Sequence, residues 1–364
     1  MLKNKTVAVV LPSFNEGKQI GMVLDSMPRF VDRIVVVNDK STDDTEKVVL
    51  GYINREKTKP TNLNHIKKIV PNRYNRAEVV AEEIVHNEDS RYIPSEIMNK
   101  DPKNDRIILI NHKRNGSVGA AIATGYKWCR DNNIDCTAVM GGDGQMDPEE
   151  LEDICMPVIE EEVDYVKANR LKHRSASLVI PRVRFFGNSV LSLLTKIASG
   201  YWKISDTQTG YTSISLNALK GLRLYEIYKS YGCPNDILVK LNIANFSIKE
   251  IPSKPVYEVG EKSKMKIFKL IPRISWLLFK LFWVRLYKKY LFRDFHPLFF
   301  LYHLSFLLLT INIPYAWAVL EDFLGGGKVS TNSLIAFMFL SISGFQSLFF
   351  AMWMDMMDNE GLQK

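Results

Sequence analysis

Blocks of apolar residues alternate with amphipathic stretches through the first two thirds of the chain. Four runs rich in valine and isoleucine predict short buried strands: residues 6–11, 33–37, 106–110 and 137–140. Residues 16–27 between the first two runs carry apolar side chains at helical spacing, and another helix is predicted from about residue 43. Strands that alternate with helices indicate an α/β fold with a mainly parallel sheet.

Polar residues and glycines collect where each predicted strand ends. They occupy residues 12–16, 38–43, 111–119 and 141–147. In a parallel sheet these carboxyl ends share one edge, and ligands bind beyond it. We therefore expect a binding site there.

Residues 55–104 interrupt this rhythm. They are polar, mixed in charge and punctuated by four prolines, and only residues 76–85 have a helical pattern. We interpret residues 55–104 as an insertion at the surface, outside the catalytic core.

The last part of the chain has a different composition. The chain has 364 residues and 88 charged side chains, of which only three lie between residues 296 and 354. Two charge-free runs, residues 297–320 and 329–354, each exceed the ~20 residues that cross a bilayer core. They predict a transmembrane hairpin whose turn is residues 321–328.

A basic segment precedes this hairpin. Residues 262–293 carry ten positive charges and no negative one, although the whole chain has a net charge of only +8. Because the rest of the chain is slightly acidic, a nucleic-acid partner is not expected. Cations interleaved with aromatic residues indicate helices that lie in the membrane interface. The positive-inside rule then places the N-terminal domain and both termini in the cytoplasm.

The predicted organisation has four parts. They are a catalytic domain over residues 1–261, interfacial helices over 262–295, two transmembrane helices over 296–354 and a cytoplasmic tail over 355–364. The first residues are too short an apolar run for a signal sequence. Four cysteines without metal-site spacing predict reduced thiols.

Three acidic residues follow predicted strands. Asp143 and Gln145 stand two residues apart, so a carboxylate and an amide oxygen can face one hard cation. Glu16 and Asp39 can accept hydrogen bonds from a base or a ribose. Together they indicate a site for a nucleotide and a metal ion.

Five motifs carry a resemblance to a known family. They read LPSFNE, VVVNDKSTDDT, NGSVGAAIATGY, GGDGQMDP and DTQTGYTSIS. In this order the motifs resemble the inverting family 2 glycosyltransferases of GT-A fold, in particular the polyprenyl-phosphate glycosyltransferases such as dolichyl-phosphate mannose synthase. The resemblance implies transfer of a sugar from a nucleotide-sugar, with UDP favoured, to a membrane polyprenyl phosphate.

The resemblance also assigns the donor side of the site. The residues that it implies for nucleotide binding are Pro12, Phe14, Glu16, Val37, Asp39, Gly142 and Asp143. The family motif for metal and diphosphate, Asp-x-Asp-x-Gln, stands here as Gly141 to Gln145 without its first aspartate. Asp143 and Gln145 are thus the implied ligands of Mg²⁺ or Mn²⁺.

The acceptor side follows from the later motifs. Arg170, Arg184 and Asn188 are implied to hold the acceptor phosphate, and Asp206 matches an acid that lines the site. Lys262 and Lys264 replace a segment that contacts the diphosphate. Asp143, Arg170, Arg184 and Asp206 are the implied catalytic residues.

Three other functions remain as alternatives. A different membrane-bound family 2 glycosyltransferase, for cell-surface polysaccharide or glycolipid synthesis, is the first of them, although the Gln-x-x-Arg-Trp motif of the processive synthases is absent. A dinucleotide-dependent oxidoreductase would need GxGxxG after the first strand, where LPSFNEGK stands. A non-catalytic membrane scaffold is favoured only by Gly141. The sequence leaves the oligomeric state open and allows a homo-oligomer.

Overall fold

The computed structural model describes residues 1–56, 70–179, 182–256, 267–325 and 328–364. An eight-stranded sheet forms the centre of the first domain. Its strands are β1 (Val7–Ser13), β2 (Arg33–Asn38), β3 (Ser95–Ile97), β4 (Ile107–His112), β5 (Cys136–Val139), β6 (Tyr165–Asn169), β7 (Thr212–Ser215) and β8 (Ile248–Pro252).

The predicted α/β fold with a mainly parallel sheet is confirmed. The strand order is β3-β4-β2-β1-β5-β7-β6-β8, and β4, β2, β1 and β5 run parallel. β3 and β7 are the antiparallel strands. The central strands are buried on both faces, which explains their unbroken valine and isoleucine runs.

Helices cover both faces of the sheet, and two hydrophobic cores result. The helices of this domain are α1 (Ile20–Asp25), α2 (Thr45–Arg55), α3 (Arg76–Asn87), α4 (Val118–Asp131), α5 (Leu151–Glu160), α6 (Ala176–Val179), α7 (Arg182–Ser199), α8 (Leu216–Gly221) and α9 (Cys233–Ile243). α4 packs against β1 and β2 on one face, and α5 packs against β5 and β6 on the other.

The second half of the predicted insertion belongs to the core, contrary to the expectation from its composition. β3 pairs with β4, and Tyr92 and Ile93 are buried. The Glu88 carboxylate pairs with the guanidinium of Arg130 at 3.4 Å, and both side chains are buried. Residues 57–69, in the first half, lie outside the described residues. The apolar residues between 55 and 104 are too few to show a periodicity. The sequence pattern therefore did not predict that Tyr92 and Ile93 are buried.

This burial leads to a stability prediction. We expect Ile93→Ala to lower the free energy of unfolding by about 2–4 kcal/mol, because the substitution leaves a cavity beside α4. Ile97→Ala is the matched control, since the Ile97 side chain is 42% exposed, and it should change stability little. Chemical denaturation of both variants measures the difference. Equal stabilities would contradict a core role for Ile93.

Deletion of residues 60–100 should prevent folding, because it removes β3 together with the buried side chains of Tyr92 and Ile93.

Three further helices follow the sheet domain. α10 (Ile267–Arg285) continues into a π-helical stretch (Leu286–Arg293), and then come α11 (Pro297–Leu324) and α12 (Thr331–Asp358). α10 packs on α7 and α9 and leaves Trp276 and Phe279 exposed. The predicted interfacial helices are therefore one long helix with a wider final turn.

α11 and α12 form an antiparallel pair, and both are long and apolar enough to cross a membrane. Polar contacts join them inside the pair. Ser305 Oγ donates to the Gly344 carbonyl at 2.9 Å, and Asn312 Nδ2 donates to Ser341 Oγ at 2.8 Å. Most of their outward-facing residues are large, apolar and exposed, as is typical of helices that face lipid.

The residues after α12 return to the sheet domain. Gln363 forms a parallel bridge to Ile248 of β8, and the Lys364 amide donates to the Ile248 carbonyl at 3.0 Å. Asn242 Nδ2 of α9 donates to Asn359 Oδ1 at 2.7 Å. The segment predicted as a tail thus contacts the edge of the sheet.

Candidate active site

A cavity of about 430 Å³ lies where the carboxyl ends of β1, β2, β4 and β5 meet. Six of the residues predicted for nucleotide binding line this cavity: Pro12, Phe14, Glu16, Asp39, Gly142 and Asp143. The side chain of Val37, the seventh, lies in the hydrophobic core against α4. Parallel strands bring these residues together because their ends share one edge of the sheet.

The Asp39 carboxylate contacts three groups at the end of β4 and in the loop that follows it. The amides of Gly116 and Ser117 donate to it at 2.7 and 2.8 Å, and His112 Nδ1 lies 2.8 Å from Oδ1. His112 Nε2 in turn lies 2.9 Å from Thr124 Oγ1. The side chains of Asp39, His112 and Thr124 are buried, so Asp39 is fixed at the inner end of the cavity.

The loops after β1 and β2 interlock at the cavity mouth. The Asn15 amide donates to Ser41 Oγ, and the Glu16 amide donates to Thr45 Oγ1, both at 3.0 Å. Asn15 has a φ of 57°, which asparagine tolerates better than most residues. These contacts hold the ring of Phe14, which is 39% exposed, at the edge of the cavity.

One side of the cavity is lined by residues that the sequence analysis did not predict. Ser230 and Tyr231 line the cavity, and the Gly119 amide donates to the Lys229 carbonyl at 2.9 Å. A Cβ at Gly119 would lie 2.0 Å from the Tyr228 carbonyl oxygen, so the close approach of this loop to α4 requires glycine. Gly119, the second glycine of NGSVGAA, is the one feature of that motif that indicates a close backbone contact.

Asp143 lies in the loop that follows β5. Its Oδ1 accepts from the Gln145 amide at 3.1 Å, and Gly144 has a φ of +75°. Among the described residues, no three His, Cys, Asp or Glu side chains cluster as a metal site. One carboxylate and one amide side chain fit a hard cation only if substrate phosphates supply further oxygen ligands, which is the usual arrangement for Mg²⁺.

Gly141 stands where the family motif has its first aspartate, and the Asp143 carboxylate lies directly beside it. A Cβ at Gly141 would lie 2.6 Å from Asp143 Oδ1, so a side chain at 141 makes the Asp143 carboxylate shift, and only an aspartate there would bring an oxygen ligand of its own.

We therefore expect Gly141→Ala to raise the Mn²⁺ concentration needed for half-maximal activity several-fold, because this carboxylate is the main protein ligand that we assign. Gly141→Asp should lower that concentration below the parental value, since it supplies a second carboxylate. A titration of activity with Mn²⁺ compares the two variants. The assignment is wrong if alanine and aspartate have the same effect.

The predicted acceptor residue Arg170 follows β6, and a buried acid holds it. Arg170 Nε and Nη2 donate to the two carboxylate oxygens of Asp206 at 2.8 and 3.1 Å. Asp206 also accepts from the amides of Arg170, Gln208 and Thr209. With so many donors around it, Asp206 positions Arg170 and is not a free base.

Burial and neighbouring charges shift the pKa values of Asp206 and Lys167. Burial alone would raise the pKa of Asp206, but Arg170 and Lys167 hold that pKa below its ordinary value. The carboxylate therefore stays ionised, and the pair persists, until the pH falls below the usual aspartate range. Burial lowers the pKa of Lys167 to about 8, against the attraction of Asp206 and Glu250. Lys167 Nζ donates to the Thr209 carbonyl.

Residues 206–210 connect the Arg170–Asp206 ion pair to the cavity at the strand ends. Asp206 lies at the Arg170 pair, and Gly210 lines the cavity. Arg184 and Asn188 are positions on α7, but their side chains are outside the described part of the chain. Lys262 and Lys264 also lie outside it, so their predicted roles stay predictions.

Comparison with known proteins gives the following matches. The model of the family described as "Glycosyl transferase family 2" matches residues 8–81 and 80–223. The UDP-N-acetylglucosamine–dolichyl-phosphate N-acetylglucosaminyltransferase of Methanococcus voltae is 26% identical over 257 residues, which are 70% of this chain and 88% of the relative. An uncharacterised protein of Methanocaldococcus jannaschii is 23% identical over 254 residues, which are 69% of this chain and 82% of the relative.

Among solved structures, glucosyl-3-phosphoglycerate synthase from Mycobacterium tuberculosis is similar. Its complex with Mn²⁺, UDP and glucosyl-3-phosphoglycerate has a TM-score of 0.47 and 14% identity, over 78% of this chain and 80% of that chain. Its complex with Mg²⁺ and UDP has a TM-score of 0.46 and 16% identity, over 78% and 79% of the two chains.

Proposed function

Because this chain belongs to glycosyl transferase family 2, we propose that it transfers a sugar from a UDP-sugar to a membrane polyprenyl phosphate with inversion at the anomeric carbon. One observation carries the proposal. The cavity that holds Asp39 and Asp143 lies in the same domain to which a pair of membrane-length helices is packed. The relative from Methanococcus voltae, named for transfer from UDP-N-acetylglucosamine to dolichyl phosphate, supports this donor and acceptor.

The donor would occupy the cavity at the strand ends. Asp39 offers a fixed carboxylate to an N–H or O–H of the nucleoside, and Phe14 offers a flat apolar ring. Asp143 and Gln145 would hold a divalent cation, which neutralises the charge of the departing diphosphate when it is bound.

The acceptor would be held on the Arg170 side. A phosphomonoester is already anionic near neutral pH, so the reaction needs no strong general base. Asp206 forms an ion pair with Arg170 and would not need to act as a base. Arg170, with Arg184 and Asn188 on α7, would bind the acceptor phosphate by charge-assisted hydrogen bonds.

The apolar part of the acceptor would lie along the membrane helices. α11 and α12 would span the bilayer, while α10 would lie at its surface with Trp276 and Phe279 towards lipid. Lys280, Arg273 and Lys288 would face anionic headgroups. This arrangement brings a lipid phosphate to the height of the catalytic domain.

A single assay tests the proposal. Purified full-length protein is incubated with Mg²⁺ or Mn²⁺, polyprenyl phosphate in vesicles and one of several nucleotide-sugars, including UDP-N-acetylglucosamine. Mass spectrometry of the lipid fraction should detect polyprenyl-phosphate sugar with a UDP donor. A sugar product found only on a glycolipid or polysaccharide would favour another membrane-bound family 2 glycosyltransferase. Absence of any product would leave the scaffold hypothesis.

The same proposal predicts a topology. Because α11 and α12 are antiparallel and the residues after α12 contact the sheet domain, both ends of the hairpin should lie on one side of the membrane. The ten positive charges of residues 262–293 predict that this side is the cytoplasm. We expect a cysteine at Lys328 to react with an impermeant maleimide from outside intact cells, and a cysteine at Glu360 to react only after permeabilisation. The native cysteines are all buried, so their background should be low. The reverse labelling pattern would overturn the proposed orientation.

A further inference from the structure

A buried polar cluster joins the membrane hairpin to the catalytic domain. Its centre is the ion pair between Arg285 at the end of α10 and Asp355 near the end of α12, with N–O distances of 2.7 and 2.8 Å. Both side chains are completely buried. The remaining Arg285 donors reach the carbonyls of Ala198 and Ile197 at 2.9 and 3.0 Å and the Tyr290 hydroxyl at 3.3 Å. Each of the five guanidinium N–H groups therefore has its own acceptor.

Further polar side chains surround this ion pair, and among the described residues one of their buried acceptors, Asn242 Oδ1, has no hydrogen-bond partner. The Tyr290 hydroxyl donates to Asp355 Oδ1 at 2.6 Å. Asn359 Nδ2 donates to the same oxygen at 2.9 Å, and Asn359 Oδ1 accepts from Asn242 of α9 and from Lys289 Nζ. The cluster thus connects α7, α9, the π-helical stretch and α12.

The contact with α7 matters most for the reaction. Ile197 and Ala198 are in the last turn of α7, where helical carbonyls lack partners within the helix. Gly200 follows with a φ of +76°, and a Cβ there would lie 2.4 Å from Arg285 Nη1. Glycine therefore leaves the space that the Arg285 guanidinium occupies beside the end of α7. α7 is the helix that carries Arg184 and Asn188, the residues assigned above to the acceptor phosphate.

We propose that Arg285 and Asp355 are positioning residues for the lipid acceptor. They fix α7 to the membrane hairpin at a single height, so that the phosphate-binding residues stand at the level where the membrane presents the phosphate. This inference rests on the proposed function. A buried ion pair is weak evidence for stability, since apolar residues of similar volume often serve as well. A bidentate pair has one geometry, however, whereas apolar surfaces can slide against each other.

The test compares two acceptors in the full-length protein. One is a long-chain polyprenyl phosphate in vesicles, and the other is a short-chain polyprenyl phosphate dissolved in water. The variant is Arg285→Met combined with Asp355→Leu, which removes both charges and keeps the volume. We expect KM for the vesicle acceptor to rise at least about tenfold, because small misplacements are costly for transfer. kcat and KM for the short acceptor should stay parental.

A matched control exists between the same two segments. Lys203, after α7, pairs with Glu360, after α12, at 3.3 Å, and both side chains are about 60% exposed. The double variant Lys203→Ala with Glu360→Ala should leave both acceptors unaffected, since exposed pairs contribute little.

The outcomes separate the hypotheses. Parental kinetics of the Arg285 and Asp355 variant with the vesicle acceptor overturn the inference, and so does an equal loss with both acceptors. If that variant does not fold, Tyr290→Phe decides. This substitution should shift KM for the vesicle acceptor in the same direction by a smaller factor, and no shift would overturn the inference. A parent protein that uses neither acceptor refutes the proposed function and this inference with it.

Discussion

The Asp143→Asn variant should lose transfer activity by about a hundredfold or more, because neutralising the leaving diphosphate is worth several kcal/mol. Asn keeps the shape of the side chain and its acceptor for the Gln145 amide, so the loop should stay folded. The measurement is the initial rate with UDP-sugar and polyprenyl phosphate at saturating Mg²⁺ or Mn²⁺. A chelator should abolish the activity of the parent protein, and either cation should restore it.

The control for Asp143→Asn is Glu149→Gln, which removes a charge from the same loop region. The Glu149 side chain is exposed, and it should be dispensable. If Asp143→Asn keeps full activity, or if the chelator has no effect on the parent, the assigned metal role is wrong. A metal-independent reaction or the scaffold hypothesis would then account better for the site.

A second large effect is expected at the acceptor side. Arg170→Ala should raise KM for polyprenyl phosphate roughly tenfold to a hundredfold, since losing a charge-assisted contact costs about 1.5–3 kcal/mol. Arg184→Ala should act in the same direction. Binding of the nucleotide should survive in both variants, because the cavity that contains Asp39 is unchanged. Steady-state kinetics with varied acceptor, together with calorimetry of UDP binding, measures both quantities.

Asp206→Asn extends this test to the residue that holds Arg170. The variant should show the same rise in KM and also a lower thermal stability, since Lys167 loses a buried counter-charge. Arg223→Ala is the matched control, because Arg223 is exposed and pairs with nearby Glu226 on the surface. An unchanged KM in Arg170→Ala at limiting acceptor would remove Arg170 from the acceptor site.

Local patterns predicted the strands well and the helix ends less well. The four predicted strands lie within two residues of β1, β2, β4 and β5, because buried parallel strands are continuous apolar runs. The helix predicted over residues 16–27 is shorter and begins at Ile20. The backbone amides of Glu16 and Gly17 instead donate to Thr45 Oγ1 and Asp43 Oδ2. The residue spacing of the first motif does not predict these contacts.

Pairs that are distant along the chain were not predictable from sequence. Asp39 and His112 are 73 residues apart, and Arg285 and Asp355 are 70 apart. Asp355 stood in a segment predicted as a tail, since one charge after an apolar run resembles the end of a membrane span. The sheet order decides such pairings, and the residue types alone do not.

The bridge between Gln363 and β8 has a consequence for biosynthesis. β8 is an edge strand, and unpaired edges template aggregation. Gln363 and Lys364 leave the ribosome only after both apolar helices have been made, so this edge stays open during the synthesis of α11 and α12. We therefore expect the edge at β8 to be covered only after both helices have been made. A nascent chain stalled before the hairpin should be more prone to self-association than the released protein.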